Sequence, residues 1–161
     1  MGGPAIRVAG WHDEGALLAL HRDLHVRHRD AVVPPGQREL HAFRGFEDLL
    51  AQDLRAMLDA PAVHLLVAEE GGRIIGYATG KRVVERHRAR SPKGVVGDWY
   101  VVPEARGRGV GRALLRALIE RFRAEGCRMV ESSTLPGNLK GRRLHELLGF
   151  HEVEVRYRKP L

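Results

Sequence analysis

The sequence has 161 residues, of which 43% are hydrophobic and 29% are charged, and its formal net charge is +7. This composition fits one globular domain over residues 1–161 and excludes a disordered chain, and no uncharged stretch approaches the roughly 20 residues of a membrane span. The charge favours anionic ligands, but 23 of the 27 basic residues are arginines scattered along the chain with few aromatics among them, which disfavours a nucleic-acid partner.

The first part of the chain changes from helical to extended patterns. A short strand is predicted at Ile6–Ala9, and Asp13 can cap a helix with leucines at helical spacing. After a proline-containing loop at Val32–Gly36, a second helix is predicted from Phe46 to Leu58. Two β-rich runs joined by Gly71-Gly72 then indicate a hairpin: Val63–Glu69 and Arg73–Val84.

The second part begins with a third extended run and ends with a predicted strand. The order of all the predicted elements is that of a single mixed α/β domain with an α+β-like sheet. The remaining segments are a strand at Gly94–Val102, a helix carrying Val110, Leu114, Leu118 and Phe122 and stopped by Gly126, a strand at Met129–Ser133, a helix at Leu139–Leu148, and a strand at His151–Tyr157.

A glycine-rich turn joins the third extended run to the following helix. The first turn of a helix has unpaired amides and the positive end of the helix dipole, and glycines let an anion approach them. The turn therefore predicts a phosphate or pyrophosphate cradle, the alternative being a tight connection that binds nothing. Its residues are Arg106, Gly107, Arg108, Gly109, Val110, Gly111 and Arg112.

Two motifs in register resemble the GCN5-related N-acetyltransferases (GNAT). Arg106-x-x-Gly109-x-Gly111 resembles that family's acetyl-CoA motif, and the segment from Asn138 to Phe150 is similar to its Asn-x-x-Ala-x-x-Leu-Tyr-Glu-Lys-Leu-Gly-Phe helix. The resemblance implies a central, mostly antiparallel sheet of about six strands with helices on both faces, splayed between the fourth and fifth strands.

The same resemblance implies how acetyl-CoA binds as a co-substrate. Its pyrophosphate would sit on Gly107–Arg112, and its pantetheine arm would pair like an extra strand with Trp99, Tyr100 and Val101. Asn138 would hydrogen-bond the pantetheine or shape the cleft, although it is an equally good helix N-cap. No residue is assigned to a metal.

Acetyl transfer to an amine needs a base for the ammonium and an acid for the departing thiolate. Asp98 and Glu131 are the candidate bases. His145 stands where many family members carry a tyrosine acid, and Tyr100 is a second candidate donor. Since no covalent intermediate is needed when both substrates bind together, Cys127 is interpreted as a packed residue.

The acceptor is not identified by the sequence beyond a small-molecule or peptide amine. The alternatives are a non-catalytic basic module that binds nucleic acid or an acidic protein surface, and an acyltransferase that uses another acyl-CoA.

His21, His25 and His28 share one helical face, which is interpreted as solvated or substrate-lining and not as a metal site. The unpaired Cys127 and the absence of a secretory signal predict a cytoplasmic protein, with a homodimer as the starting expectation.

Overall fold

The computed structural model describes residues 3–161 and contains a sheet flanked by helices. A π-helical segment, Leu24–His28, joins the first two helices, and short 3-10 turns occur at Trp11–Asp13, Pro35–His41 and Pro103–Ala105. The strands are β1 (Ala5–Val8), β2 (Val63–Glu70), β3 (Arg73–Val83), β4 (Lys93–Val101) and β5 (Met129–Glu131). The helices are α1 (Glu14–Asp23), α2 (Arg29–Val32), α3 (Phe46–Asp59), α4 (Val110–Ala124) and α5 (Leu139–Leu147).

The strands lie in chain order, and the last pairing differs from the others. β1 to β4 pair antiparallel, whereas β5 runs parallel to β4. The β4–β5 pairing covers only Lys93–Val95 and Met129–Glu131. Over residues 96–101, β4 therefore has no partner on its β5 side in the described chain. This confirms the mixed α/β fold and the predicted gap between the fourth and fifth strands.

Helices cover both faces of the sheet, as the alternating side chains of β3 show. Tyr77 is fully buried and contacts His21 of α1. A side chain at Gly76 or Gly80, on the opposite face, would meet Leu114, Leu118 and Phe122 of α4. The core thus has two layers, with α1 and α3 on one face and α4 on the other.

The predicted strand at His151–Tyr157 is wrong. Residues 151–161 form no regular structure and are exposed throughout. The alternation of Val153, Val155 and Tyr157 is typical of a strand, but a strand forms only where its backbone finds a partner. Within residues 3–161 no second strand pairs with the outer edge of β5, so the sheet has five strands instead of about six.

Asp13 begins the first helical region, although its side chain acts differently from a simple N-cap. The carboxylate accepts hydrogen bonds from the Gly10 amide at 2.9 Å and from the two terminal guanidinium nitrogens of Arg7 at 2.7 and 2.8 Å. These bonds fasten β1 to the start of α1. The hydrogen bonds from Arg7 outweigh the effect of burial and lower the pKa of Asp13 below its ordinary value.

We expect Asp13→Asn to lower the free energy of unfolding at pH 7 by about 1–2 kcal/mol, because it removes a buried carboxylate from a charged hydrogen-bond pair. The folded pKa lies below the unfolded value of about 3.9. The wild-type advantage is therefore complete above roughly pH 5 and shrinks as the pH falls through the acid range. Urea unfolding at several pH values measures it.

The exposed Asp48, in the first turn of α3, supplies the matched control. Asp48→Asn removes a carboxylate from a helix start without a buried partner, so it should cost less at every pH. Equal losses for the two variants would contradict the role given to the Arg7–Asp13 pair.

Candidate active site

A β-bulge in β4 sets the direction of Asp98. Gly97 and Asp98 both lie opposite Thr79, because Ala78 pairs with Trp99 and Gly80 pairs with Val96. The Asp98 amide donates to the Thr79 hydroxyl at 2.8 Å. A Cβ atom at Gly97 would lie 2.7 Å from that hydroxyl oxygen, so glycine is required there. The bulge, which sequence analysis missed, lies where β4 parts from β5.

The glycine-rich turn is an open cradle of backbone amides. Gly107 and Gly109 have φ of 77° and 83°, and nothing lies within 4 Å of where their Cβ atoms would be. Within residues 3–161, the amides of residues 107–112 have no hydrogen-bond acceptor. They surround the N-terminus of α4, where the helix dipole favours an anion. The turn therefore has the geometry of a phosphate site.

The arginines of the turn are used differently from one another. Arg106 donates from Nε to the Val101 carbonyl at 2.8 Å, and its guanidinium lies 5.4 Å from the centre of the Tyr100 ring. Arg108 forms an ion pair with Glu70 of β2. In the described chain Arg112 has no ion pair, so its charge is free to meet an anion at the turn. Arg106 thus stabilises the end of β4.

Trp99 connects the unpaired part of β4 to the turn. Its indole Nε1 donates to the Gly111 carbonyl at 2.9 Å, and its ring lies edge-on to His145 of α5 at 5.5 Å between centroids. A side chain at Gly111 would contact this indole at 3.4 Å. Trp99 therefore fixes the distance between β4 and the first turn of α4.

His145 is held between two oxygens beside the gap. Its Nδ1 lies 2.7 Å from the Gly141 carbonyl and its Nε2 lies 2.8 Å from the Ser132 hydroxyl, just beyond β5. Because a carbonyl can only accept, Nδ1 carries the hydrogen, and in the neutral ring Nε2 accepts a hydrogen bond from the Ser132 hydroxyl. Phe150 packs against the ring at 5.3 Å. Sequence analysis singled out His145 but missed Ser132.

Asn138 caps α5, which was one of its two predicted roles. Its Oδ1 accepts from the Gly141 amide at 3.1 Å, and its Nδ2 donates to the Thr134 hydroxyl at 2.9 Å. Both ends of the amide are therefore engaged within the protein. The cap also positions the Gly141 turn, whose carbonyl orients His145.

The two carboxylates predicted as bases lie in different surroundings. Glu131 is half-exposed and pairs with Lys93 at 2.7 Å. Asp98 is mostly buried and faces α1 and the π-helical segment. Of these two carboxylates, only Asp98 lies on the unpaired part of β4. There it contacts other titratable groups.

Asp98 is part of a buried network with two histidines. One carboxylate oxygen lies 3.2 Å from His21 Nδ1, and the other lies 3.4 Å from His25 Nε2. His21 Nδ1 is also 2.8 Å from the Tyr77 hydroxyl, and its Nε2 is 3.2 Å from Asp53. Burial alone would raise the pKa of Asp98, but the two imidazoles beside its carboxylate hold that pKa well below its usual range. Burial and the nearby Asp98 raise the pKa of Tyr77.

The interpretation of these histidines as a solvated face is wrong for His21, whose exposure is 0%. His28 lies edge-on to Tyr100 at 6.4 Å, so the three histidines face β4. His21, His25 and Asp98 each have one atom that could ligate a metal ion, and these three atoms lie within 4.8 Å of one another. His21 uses both nitrogens within the protein, so the contacts describe a hydrogen-bonded network.

A cavity of about 1220 Å³ lies between α1, α2 and the ends of β3 and β4. Tyr100, His28 and Arg106 line the part beside the glycine-rich turn, and Asp23 adds a carboxylate. Burial raises the pKa of Tyr100, which keeps its phenol protonated at neutral pH. The cavity is wide enough for a small polar molecule and has charges of both signs.

Comparisons with known proteins agree with this geometry. The sequence model of the acetyltransferase (GNAT) family matches residues 30–150. An aminoglycoside N(6')-acetyltransferase of Stenotrophomonas maltophilia is 34% identical over 122 residues, which are 71% of this chain and 78% of the relative. An L-methionine sulfoximine/L-methionine sulfone acetyltransferase of Pseudomonas paraeruginosa is 36% identical over 148 residues, covering 91% and 79%.

A solved aminoglycoside N-acetyltransferase in complex with CoA has a TM-score of 0.75 and 25% identity, covering 100% of this chain and 98% of that one. Among residues 3–161, no helix has the length and apolar character needed to cross a membrane.

Proposed function

Because the chain belongs to the acetyltransferase (GNAT) family and is an acetyl-CoA-dependent N-acetyltransferase, we propose that it acetylates the primary amine of a small cationic molecule. The observation that carries the cofactor part of this proposal is the open amide cradle at residues 107–112, next to the unpaired end of β4. The Asp23 carboxylate in the cavity supports a cationic acceptor. Aminoglycosides and an amino-acid analogue are named for the relatives. A continuous core with residues from Ile6 to Phe150 supports the proposal of one catalytic domain.

The cofactor would lie along the gap between β4 and β5. The amides of residues 107–112 would bind the pyrophosphate, with Arg112 supplying charge. The backbone of Trp99–Val101 would hydrogen-bond the pantetheine amides, because this part of β4 has no strand beside it. Arg106 would hold the end of that strand, and Asn138 would shape the far wall through its cap.

The acetyl group would pass directly from CoA to the amine in a ternary complex. Cys127 follows α4 and precedes the paired part of β5, away from the gap. Burial raises the pKa of its thiol, which disfavours the nucleophilic thiolate. An unpaired, packed thiol also supports a cytoplasmic location.

Calorimetry with acetyl-CoA, followed by an acceptor panel that monitors CoA release, tests this function. We expect sub-millimolar binding, turnover with an aminoglycoside or L-methionine sulfoximine, and intersecting initial-velocity lines. Gly109→Asp should weaken binding at least about tenfold, because a carboxylate there repels the pyrophosphate and the residue has positive φ.

Gly126→Asp is the matched control, because Gly126 lies at the other end of α4 with φ of 76° and equally open surroundings. It imposes a similar backbone strain without touching the cradle, so cofactor affinity should be retained. Absence of wild-type binding, or equal losses in both variants, would overturn the assignment. Parallel velocity lines would contradict direct transfer, and a preference for another acyl-CoA would change the donor.

We propose that His145 supplies the proton for the departing CoA thiolate through Ser132. When the imidazole is protonated, Nε2–H donates to the Ser132 oxygen. The serine hydroxyl hydrogen is then free to point into the gap, so the serine delivers a proton and recovers one from His145. Tyr100 is a weaker candidate donor, since its ring contacts Arg106 and the cavity on the α1 face.

His145→Phe should lower kcat by about 10²-fold while leaving the Kd of acetyl-CoA within about twofold, because the ring contacts remain but the proton is lost. His145→Tyr is the paired variant, differing from Phe only in a hydroxyl group. It should keep more turnover than His145→Phe. An unchanged kcat in the Phe variant removes His145 from the chemistry.

We further propose a homodimer built by exchange of residues 151–158. Val153, Val155 and Tyr157 alternate with charged residues and are 86%, 61% and 88% exposed, a pattern that a second chain would cover. Within residues 3–161 no strand pairs with the outer edge of β5, and a groove of about 520 Å³ between α4 and α5 offers Ile119, Leu147 and Leu148 as apolar contacts.

Val153→Ser/Val155→Ser should convert the dimer to a monomer in analytical ultracentrifugation, because it removes the apolar side of the exchanged strand. Glu154→Ser/Arg156→Ser alters the opposite side and should leave the dimer intact. A wild-type monomer at about 50 μM would exclude the exchange, since a stable dimer persists at micromolar concentration.

A further inference from the structure

We infer that His25 is the proton acceptor for the amine and that Asp98 acts as its positioning residue. This inference rests on the proposed function, because it places the amine beside the unpaired part of β4. His25 Nε2 is buried 3.4 Å from Asp98, and among residues 3–161 it has no hydrogen-bond partner. The side chain as a whole is 32% exposed, and Nε2 but not Nδ1 is buried without a partner, so we infer that the ring edge with Nδ1 reaches solvent.

Asp98 is poorly suited to take the proton itself. Both of its oxygens face imidazole nitrogens, and its buried carboxylate stays ionised because of them. An anion stabilised in this way has little affinity for a proton. It is well suited to accept a hydrogen bond from His25 Nε2–H, which leaves the Nδ1 lone pair free as the base.

His21 and Tyr77 keep the carboxylate in place behind His25. His21 contacts Asp98 from α1, the Tyr77 hydroxyl lies 3.4 Å from Asp98, and Asp53 of α3 holds the other side of His21. The rings of His21 and His25 meet edge-on at 4.5 Å. His21 and Tyr77 thus hold the Asp98 carboxylate directly, and Asp53 holds it indirectly through His21.

The π-helical segment Leu24–His28 places His25 in this position. A π-helical turn is wider than an α-helical turn and is frequently found at functional sites. Here it directs His25 towards Asp98 and His28 towards Tyr100, next to the cavity. The bulge at Gly97 directs Asp98 from the other side, so two irregularities converge on one contact.

The transfer balances with His25 as the base. His25 Nδ1 takes a proton from the ammonium, directly or through a water, and the positive charge on the ring is met by Asp98. The neutral nitrogen forms the C–N bond to the acetyl carbonyl carbon, and the C–S bond breaks. The nitrogen releases a second proton, and the CoA thiolate takes up one, so the net reaction releases one proton.

The test compares His25→Ala and His25→Gln with His87→Ala, which changes an exposed histidine in the β3–β4 loop. With the acceptor found for the wild type, the His25 variants should lose about 10²-fold in kcat/KM and keep their acetyl-CoA affinity and Tm. The pH profile of kcat/KM in both His25 variants should differ from that of the wild type. Imidazole should partly restore His25→Ala, and Asp98→Asn should lose kcat without such rescue.

A loss below about threefold in both His25 variants, or an unchanged pH profile, would overturn the inference. Loss of wild-type activity in EDTA that Zn²⁺ restores would replace the base with a metal site, and EDTA without effect would support the base. If the wild type binds acetyl-CoA but acetylates no amine, the proposed acceptor class is wrong. That result is distinct from a failure of the inference about His25, which requires an active wild type.

Discussion

The bulge at Gly97 and Asp98 is the constraint on which the arrangement of the site depends. It places two residues of β4 opposite Thr79 of β3. The Asp98 amide donates a hydrogen bond to the Thr79 hydroxyl. From this point β4 no longer pairs with β5, so its backbone groups are available to an extended ligand. The same local distortion directs a carboxylate towards the α1 side. One irregularity therefore creates both the cofactor edge and the charge beside it.

The proposed acid and the Asp98 network lie on opposite faces of the sheet. On the α4 side, Trp99 ties the strand to the first turn of α4 and touches His145, so the cradle and the proposed acid share one rigid connection. On the α1 side, Tyr100 and Asp98 face histidines of one continuous helical region. In the proposed mechanism, the proton from the amine and the proton for the thiolate would therefore be transferred on opposite sides of β4. The proposed base and the proposed acid would then not contact each other.

The sequence predicted the parts that depend on local pattern. The order of the elements and the cradle at residues 107–112 follow from periodicity and glycine positions, and the gap between β4 and β5 was implied by the family resemblance of the two motifs. The strand at His151–Tyr157 was wrong because alternation specifies which side chains share a face, whereas pairing requires a neighbour that the described chain does not provide. Ser132 and Thr79 were missed because a lone hydroxyl gains its role only from a partner distant in sequence.

The histidines show why the remaining part of the site could not be predicted. Their spacing of i, i+4 and i+7 placed them correctly on one face, and the surrounding arginines suggested that this face was solvated. Burial is decided by what the sheet offers opposite, and β3 and β4 offer Tyr77 and Asp98. A fully buried imidazole between two carboxylates is tolerated only because both nitrogens are hydrogen-bonded. His21 also lies 3.2 Å from Asp98 and favours its ionised form. In the proposed mechanism, an ionised Asp98 would in turn favour a hydrogen on Nε2 of His25, the nitrogen that faces it.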